Sequence, residues 1–475
     1  MTAADDLGDG PPTGARAIAE AVRARRASAT EVLESFTARV EADNERLNAL
    51  VALRLDGARA EARAVDEALD RGDAVGPLAG VPFTVKDVLA TADLPTTCGS
   101  RALGEHRTRL DATSVARLRD AGAILIGKSN CPEFAFGVDT DNPCYGRTAN
   151  PLGPFIPGGS SGGEASAVAA GFSALGIGTD FGGSVRWPAQ CAGLVGLRPT
   201  VGRVPTTGTL PAPSTDEPLT PNARSVQGRL QVVGLLAATV ADVRVGLEVV
   251  SGADGLDPQA APVPLAMVGE DCARIDVMFG DDVGGHRADP EVGAGVDWAA
   301  SVLGASGSRV SPGLPDELHA AVDLYSELRD TDTLDEIAQV VADRTDEVSP
   351  LIRELLGSAR RPAERHVVSL WARRDRLRGA LLSRFTGDRV LVMPVASTLP
   401  PWTHEHRAID QFALLAPSRA VTLFGLPSLS MPCAVAPDGR PVSVQIVGPP
   451  FREDLVLAVG RRLELERRSD RCAGT

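Results

Sequence analysis

Between residues 156 and 199 the chain sets serines among glycines twice: I-P-G-G-S-S-G-G-E-A carries Ser160 and Ser161, and G-T-D-F-G-G-S-V-R carries Ser184. The residues between the two clusters, A-S-A-V-A-A-G-F-S-A-L, are small and suit a closely packed, buried helix over 164–175. Glycine beside a hydroxyl lets a substrate approach the backbone and permits dihedrals that other residues avoid. Successive N–H groups in such a turn can converge on developing negative charge. A chain built around this stretch must bury it on both sides, and the chemistry it suggests is acyl transfer.

A serine hydroxyl is a poor nucleophile until a base removes its proton. The chain has 48 basic residues, yet only Lys86 and Lys128 are lysines. Arginine does not deprotonate at useful pH, whereas a buried lysine can have its pKa lowered enough to act as a base. Lys86 closes a short apolar strand in G-V-P-F-T-V-K-D; Lys128 closes another in A-I-L-I-G-K, where a structural ion pair would explain it equally well. The histidines, at 106, 286, 319, 366, 404 and 406, lie in no recognisable motif, so a Ser–His route has little support. Gly159-Ser160-Ser161-Gly162-Gly163 also fits a G-x-S-x-G elbow with Ser161 as nucleophile, but that reading leaves the second cluster unexplained. No G-K-[S/T] follows, which excludes a phosphate loop. His404-x-His406 reads as an exposed loop after Pro400-Pro401 rather than a metal pair, and Cys191 as a small core residue.

The strings G-G-S-S-G-G-E, G-T-D-F-G-G-S-V-R and G-L-V-G-L-R-P-T resemble the amidase signature family of serine hydrolases. Upstream G-V-P-F-T-V-K-D, and downstream F-G-L-P-S-L-S-M-P and P-V-S-V-Q-I-V-G, resemble the lysine strand and closing strands of that family, in its order and spacing. The resemblance implies that Ser184 forms an acyl-enzyme, that Ser160 follows a cis peptide bond and bridges, and that Lys86 is the general base. It further implies an oxyanion hole from the backbone N–H groups of Phe181, Gly182, Gly183 and Ser184, supported by Ser161, Asp180 and Arg186. No metal or organic cofactor is expected, and the substrate is expected to be a small amide. A homodimer is possible on the family's habit, although no self-complementary face is legible. Phe181 and Trp187 are bulkier than the family's usual residues there, and V-V-G-L-L-A-A-T-V-A-D lacks the arginine often found in that stretch. Two other readings stay open: the glutaminase subunit of a tRNA-dependent amidotransferase, which works with a partner chain, and a non-catalytic member of the fold. Against the first, the middle third lacks an R-I-x-x-G-type stretch.

Strand-like and helix-like segments alternate, which implies an α/β fold: one large amidase signature domain, its mixed twisted sheet covered by helices on both faces. Residues 1–13, acidic and rich in Gly and Pro, read as disordered. Within a domain spanning 14–470, N-terminal helices are expected over 14–75 and a catalytic core over 80–250. A variable, mostly helical substrate-side region is expected over 255–385, and closing strands with a last helix over 388–470. Residues 235–250 read as one helix. A net charge of −14 argues against nucleic acid or an anionic membrane as a main partner. Seven cysteines without C-x-x-C spacing, no apolar run of membrane length and no basic-then-apolar leader point to a cytoplasmic protein.

Overall fold

Apolar, β-branched runs bounded by glycine and proline become strands in the computed structural model, which describes residues 12–104, 106–211, 225–266, 275–405 and 410–473. In chain order they are β1 (Leu50–Leu53), β2 (Pro82–Lys86), β3 (Ile124–Ser129), β4 (Leu175–Asp180), β5 (Val195–Arg198), β6 (Val232–Ala237) and β7 (Asp276–Phe279). There follow β8 (Asp282–Val283), β9 (His286–Arg287), β10 (Arg309–Pro312), β11 (Arg389–Pro394), β12 (Ser428–Val435) and β13 (Pro441–Val447). Eleven of them form one sheet in the order β1-β3-β2-β4-β6-β5-β12-β13-β11-β7-β10, and β8 pairs with β9 as a separate hairpin. The runs β3-β2-β4 and β11-β7-β10 are parallel, and the remaining neighbours antiparallel. Every residue of β2, β3, β4, β5, β6 and β13 is buried, a condition met only when both faces of a sheet are covered. This is the α/β architecture expected, a large mixed sheet clad in helices.

Helix ends follow local chemistry. Helix Ala29–Leu47 opens on a capping box between Ser28 and Glu31. Helix Leu55–Arg71 stops at Gly72, whose left-handed backbone lets its N–H reach back to the last turn. No helix among the described residues is long and apolar enough to cross a membrane.

The structure departs from the sequence reading in several places. The N-terminal helical stretch is interrupted by β1, an edge strand that pairs with β3. The stretch 235–250 is not one helix. Buried β6 runs to Ala237, and a new helix, Val240–Val250, starts where the Thr239 side chain accepts the Asp242 N–H. The small-residue run folds as helix Gly162–Ala169 only, because Gly171 turns the chain with a positive φ and Leu175 already begins β4. The stretch read as mostly helical before residue 385 also supplies β10, which pairs with β7 at the edge of the sheet beyond β11. Most of the expected disordered tail, residues 1–11, lies outside the described residues, as do residues 212–224 within the expected catalytic core.

Candidate active site

The two serine clusters and the lysine meet at the carboxyl ends of neighbouring parallel strands, the edge where open α/β sheets place their ligands. β2 and β4 pair in register with Val85 opposite Ile177, so Lys86 at the end of β2 arrives beside Thr179 near the end of β4. The Lys86 ammonium is fully buried, donates to Ser160 Oγ at 2.7 Å and to Thr179 Oγ1 at 3.1 Å, and has no carboxylate in ion-pair contact among the described residues. Burial brings its pKa down to about 8. Lys128 is also buried, but it stands 3.5 Å from the Asp87 carboxylate and donates to Thr96 Oγ1 and the Leu89 carbonyl. Lys128 is thus held as a structural ion pair, and Lys86 is the lysine that reaches Ser160.

Ser160 follows the cis Gly159–Ser160 peptide bond and is almost wholly buried. Ser161, the residue before helix Gly162–Ala169, ties the two clusters together. Its N–H donates to the Ser184 carbonyl at 3.1 Å and its hydroxyl to the Thr179 carbonyl at 3.4 Å. With its hydroxyl on a buried carbonyl, Ser161 makes a poor nucleophile, which removes the elbow reading's main actor. Ser160, Thr179, Phe181, Gly182 and Ser184 all line one open cleft.

The turn that presents Ser184 is held by the Asp180 carboxylate. Asp180 Oδ1 accepts the Gly183 N–H at 3.0 Å and Oδ2 the Val185 N–H at 3.1 Å, while Arg186 clamps both oxygens through Nε (3.0 Å) and Nη2 (2.9 Å). Arg198 adds a second guanidinium, 3.3 Å from Oδ1. Burial alone would raise this carboxyl, but the two arginines and the backbone donors outweigh it and hold it well below the usual carboxylate range. Arg186 reaches onward to Gln445 Oε1 on β13 (3.0 Å) and Thr422 Oγ1 (2.9 Å), so the turn is braced against the closing strands. Asp180 and Arg186 therefore form a direct ion pair. Arg198, Gln445 and Thr422 lie in the same motifs or next to them, and nothing in the sequence alone singles them out.

One expectation for the oxyanion hole is corrected here. The Gly183 N–H is engaged by Asp180, and Gly183 is not among the residues lining the cleft. The backbone N–H groups of Phe181, Gly182 and Ser184 have no acceptor among the described residues, which leaves three donors for a ligand rather than four. Glycine is required at 183, where φ is +117° and an added Cβ would stand 3.0 Å from Ser418 Cβ.

The far wall comes from distant chain segments, and its residues are not evident in the sequence. Tyr325, on helix Asp316–Arg329, donates its hydroxyl to the Phe181 carbonyl at 3.1 Å, and the two rings lie 5.5 Å apart. Arg329, Leu351, Leu355, Gln411, Leu415 and Arg419 complete that side. An arginine inside an apolar helix, as Arg419 is in A-P-S-R-A-V-T-L, is the available signal. Trp187 does not line the cleft. It is buried behind the wall, its Nε1 donating to the carbonyl of the lining residue Val138 at 2.9 Å.

A family model described as Amidase matches residues 31–457. The A-type subunit of the glutamyl-tRNA(Gln) amidotransferase of Koribacter versatilis (strain Ellin345) is 32% identical over 477 residues, covering 94% of this chain and 96% of the relative. The structure of 6-aminohexanoate cyclic dimer hydrolase matches with a TM-score of 0.83 at 30% identity, over 95% of this chain and 96% of its own. A bacterial aryl acylamidase of the amidase signature family matches with a TM-score of 0.77 at 26% identity, over 95% of this chain and 96% of its own. Family model, relatives and fold agree along nearly the whole length, and the chain belongs to the amidase signature family.

Proposed function

We propose that this chain hydrolyses a carboxylic amide through an acyl-enzyme on Ser184, with Ser160 and Lys86 as the proton relay. The observation that carries the reading is the buried Lys86 ammonium, free of any carboxylate partner among the described residues and held 2.7 Å from Ser160 Oγ, beneath the cleft that Ser160 and Ser184 line. In this scheme neutral Lys86 takes a proton from Ser160 as Ser160 takes one from Ser184, and Ser184 Oγ bonds to the amide carbon. The carbonyl oxygen becomes an oxyanion facing the N–H groups of Phe181, Gly182 and Ser184, each such donor contributing roughly 2.7–4 kcal/mol. Collapse breaks the C–N bond, and the relay returns a proton to the departing amine. Water then attacks the acyl-enzyme by the same route in reverse, releasing the acid. Every proton moves on side chains of the chain itself, so the scheme calls on no metal or organic cofactor. Labelling of Ser184 by a serine-directed fluorophosphonate, together with ammonia or amine release from an amide panel, tests it; a protein that does neither is not this enzyme.

A second reading gives the chain the role of a glutaminase subunit that feeds ammonia to a partner. The curated relatives favour it, since those found at 30–33% identity carry the name of the amidotransferase's A-type subunit. The stand-alone reading draws on a structural match of similar identity to a hydrolase of cyclic amides, and on a cleft whose described lining holds no carboxylate for glutamine's ammonium group. Ammonia release from glutamine that appears only with a partner subunit, and from no other amide, would decide for the second reading.

A further inference from the structure

Two arginines stand in the wall of the Ser184 cleft with no carboxylate bound to either among the described residues. Arg419 projects from helix Ala416–Leu423, with its guanidinium over the rings of Tyr325 (5.7 Å) and Phe412 (5.2 Å). Its Nε is shut off from solvent and has no hydrogen-bond partner among the described residues. Arg329, one turn beyond Tyr325 at the end of its helix, lines the same cleft, close enough for its charge to act on Arg419. The acid whose charge reaches Arg419, Asp410, caps the preceding helical turn by accepting the Phe412 and Ala413 N–H groups and makes no ion pair with Arg419. Arg186 and Arg198, by contrast, are both bound to Asp180. Two like charges facing one partly buried space, one with an orphaned donor, are costly to hold unless an anion completes them.

We propose that Arg329 and Arg419 bind a carboxylate on the substrate, so that the amide cleaved here is a short monoamide of a dicarboxylic acid. The inference takes the position of the scissile bond from the Ser184 chemistry proposed above. A guanidinium offers a planar fork of donors that matches a carboxylate, and the aromatic faces of Tyr325 and Phe412 keep that fork in place. The spacer is short because Arg419 packs directly over the serine turn: a Cβ added to Gly182 would lie 3.5 Å from Arg419 Cγ and 2.8 Å from Tyr325 Oη. The same wall argues against a substrate ammonium. No Asp or Glu is among the described lining residues. Asp332 and Glu336 lie beyond Gln227 and Gln231 in an adjoining crevice, where Asp332 accepts the Gln227 N–H at 3.0 Å. A zwitterion such as glutamine would therefore bring its ammonium beside two guanidiniums with no counter-charge.

Calorimetric binding to the full-length Ser184→Ala protein at low ionic strength tests this without turnover. The probes are glutaramate, its neutral isostere glutaramide, and glutamine. Glutaramate is expected to bind at least tenfold more tightly than either of the others. Arg329→Gln and Arg419→Gln, each added to Ser184→Ala and checked by thermal melt, are expected to lower the glutaramate-to-glutaramide ratio at least tenfold. Equal binding of glutaramate and glutaramide overturns the proposal without any arginine being changed. So does a preference that survives both substitutions, or glutamine binding as tightly as glutaramate. The hydrolase reading is judged separately on the wild-type protein. No ammonia from any amide, alongside retained glutaramate binding, sinks the reaction and supports the anion site. Turnover of neutral amides with no glutaramate preference does the opposite.

Discussion

Replacing Lys86 by arginine keeps a positive charge behind Ser160 and removes a usable base, so it isolates what the lysine does. With a pKa near 8, about one Lys86 in ten is neutral at pH 7. An arginine in its place stays charged at useful pH and offers no lone pair to a proton. Loss of a positioned base costs on the order of 10²–10⁴-fold. We expect kcat/KM of Lys86→Arg to fall into that range, as low as Lys86→Ala within a factor of about ten. The pH profile of the wild type should rise with unit slope up to about 8 and level off above, because the ordinary lysine value is lowered and only the neutral amine accepts a proton. Burial also pushes Glu164 up to about 7, so Glu164→Gln serves as the control that leaves the limb near 8 in place. Charging Lys86 in the fold costs about 3 kcal/mol more than in water, a penalty present below pH 8 and relieved as pH rises towards 10.5. A neutral replacement should therefore melt no lower than wild type at pH 7, which separates lost chemistry from lost folding. An arginine variant within tenfold of wild type, or a flat profile from pH 6 to 9, would refute the relay.

Ser184→Ala should abolish turnover and fluorophosphonate labelling, whereas Ser160→Ala should leave a small residue, since water can carry part of the relayed proton; steady-state kinetics that single out Ser161→Ala would revive the elbow reading. Asp180→Asn leaves Arg186 and Arg198 buried without their carboxylate, and a loss of about 3–5 kcal/mol in denaturant unfolding is expected, with little change as the outcome that contradicts it. Each of the six histidines, changed singly, should leave kcat/KM within about tenfold, and one variant losing several orders of magnitude would restore a Ser–His mechanism.

What the sequence shows and what it hides divide along chain distance. Lys86, Ser160 and Ser184 are legible because strand ends and glycine turns write their geometry locally, and the scarcity of lysine makes position 86 conspicuous. The availability of each N–H in the serine turn is not legible, since it depends on which donors the Asp180 carboxylate captures in three dimensions. The strand β6 reads as helix because V-V-G-L-L-A-A-T-V-A-D is apolar at both helical and strand periods; Thr239, as a cap, marks the true boundary. Tyr325, Arg329 and Arg419 escape a sequence reading because nothing in their neighbourhoods ties them to Ser184; only the packing of their helices does. The same holds for Trp187, which lies beside the nucleophile in sequence and behind the cleft wall in space.

The bracing of Arg186 by Gln445 and Thr422 spans separations of 259 and 236 residues. A ribosome therefore delivers Ser184 long before the groups that hold its turn. At roughly 5–20 residues per second, residues 186 and 445 are made about 13–50 s apart. β5, which follows the serine turn, likewise waits for β12 to complete its place in the middle of the sheet. A nascent chain that has emerged as far as the serines thus carries Lys86, Ser160 and Ser184 without the frame that holds the serine turn. The closing strands therefore finish the serine turn, and under the proposed hydrolase reading a chain cut short of β13 would carry its relay residues without activity.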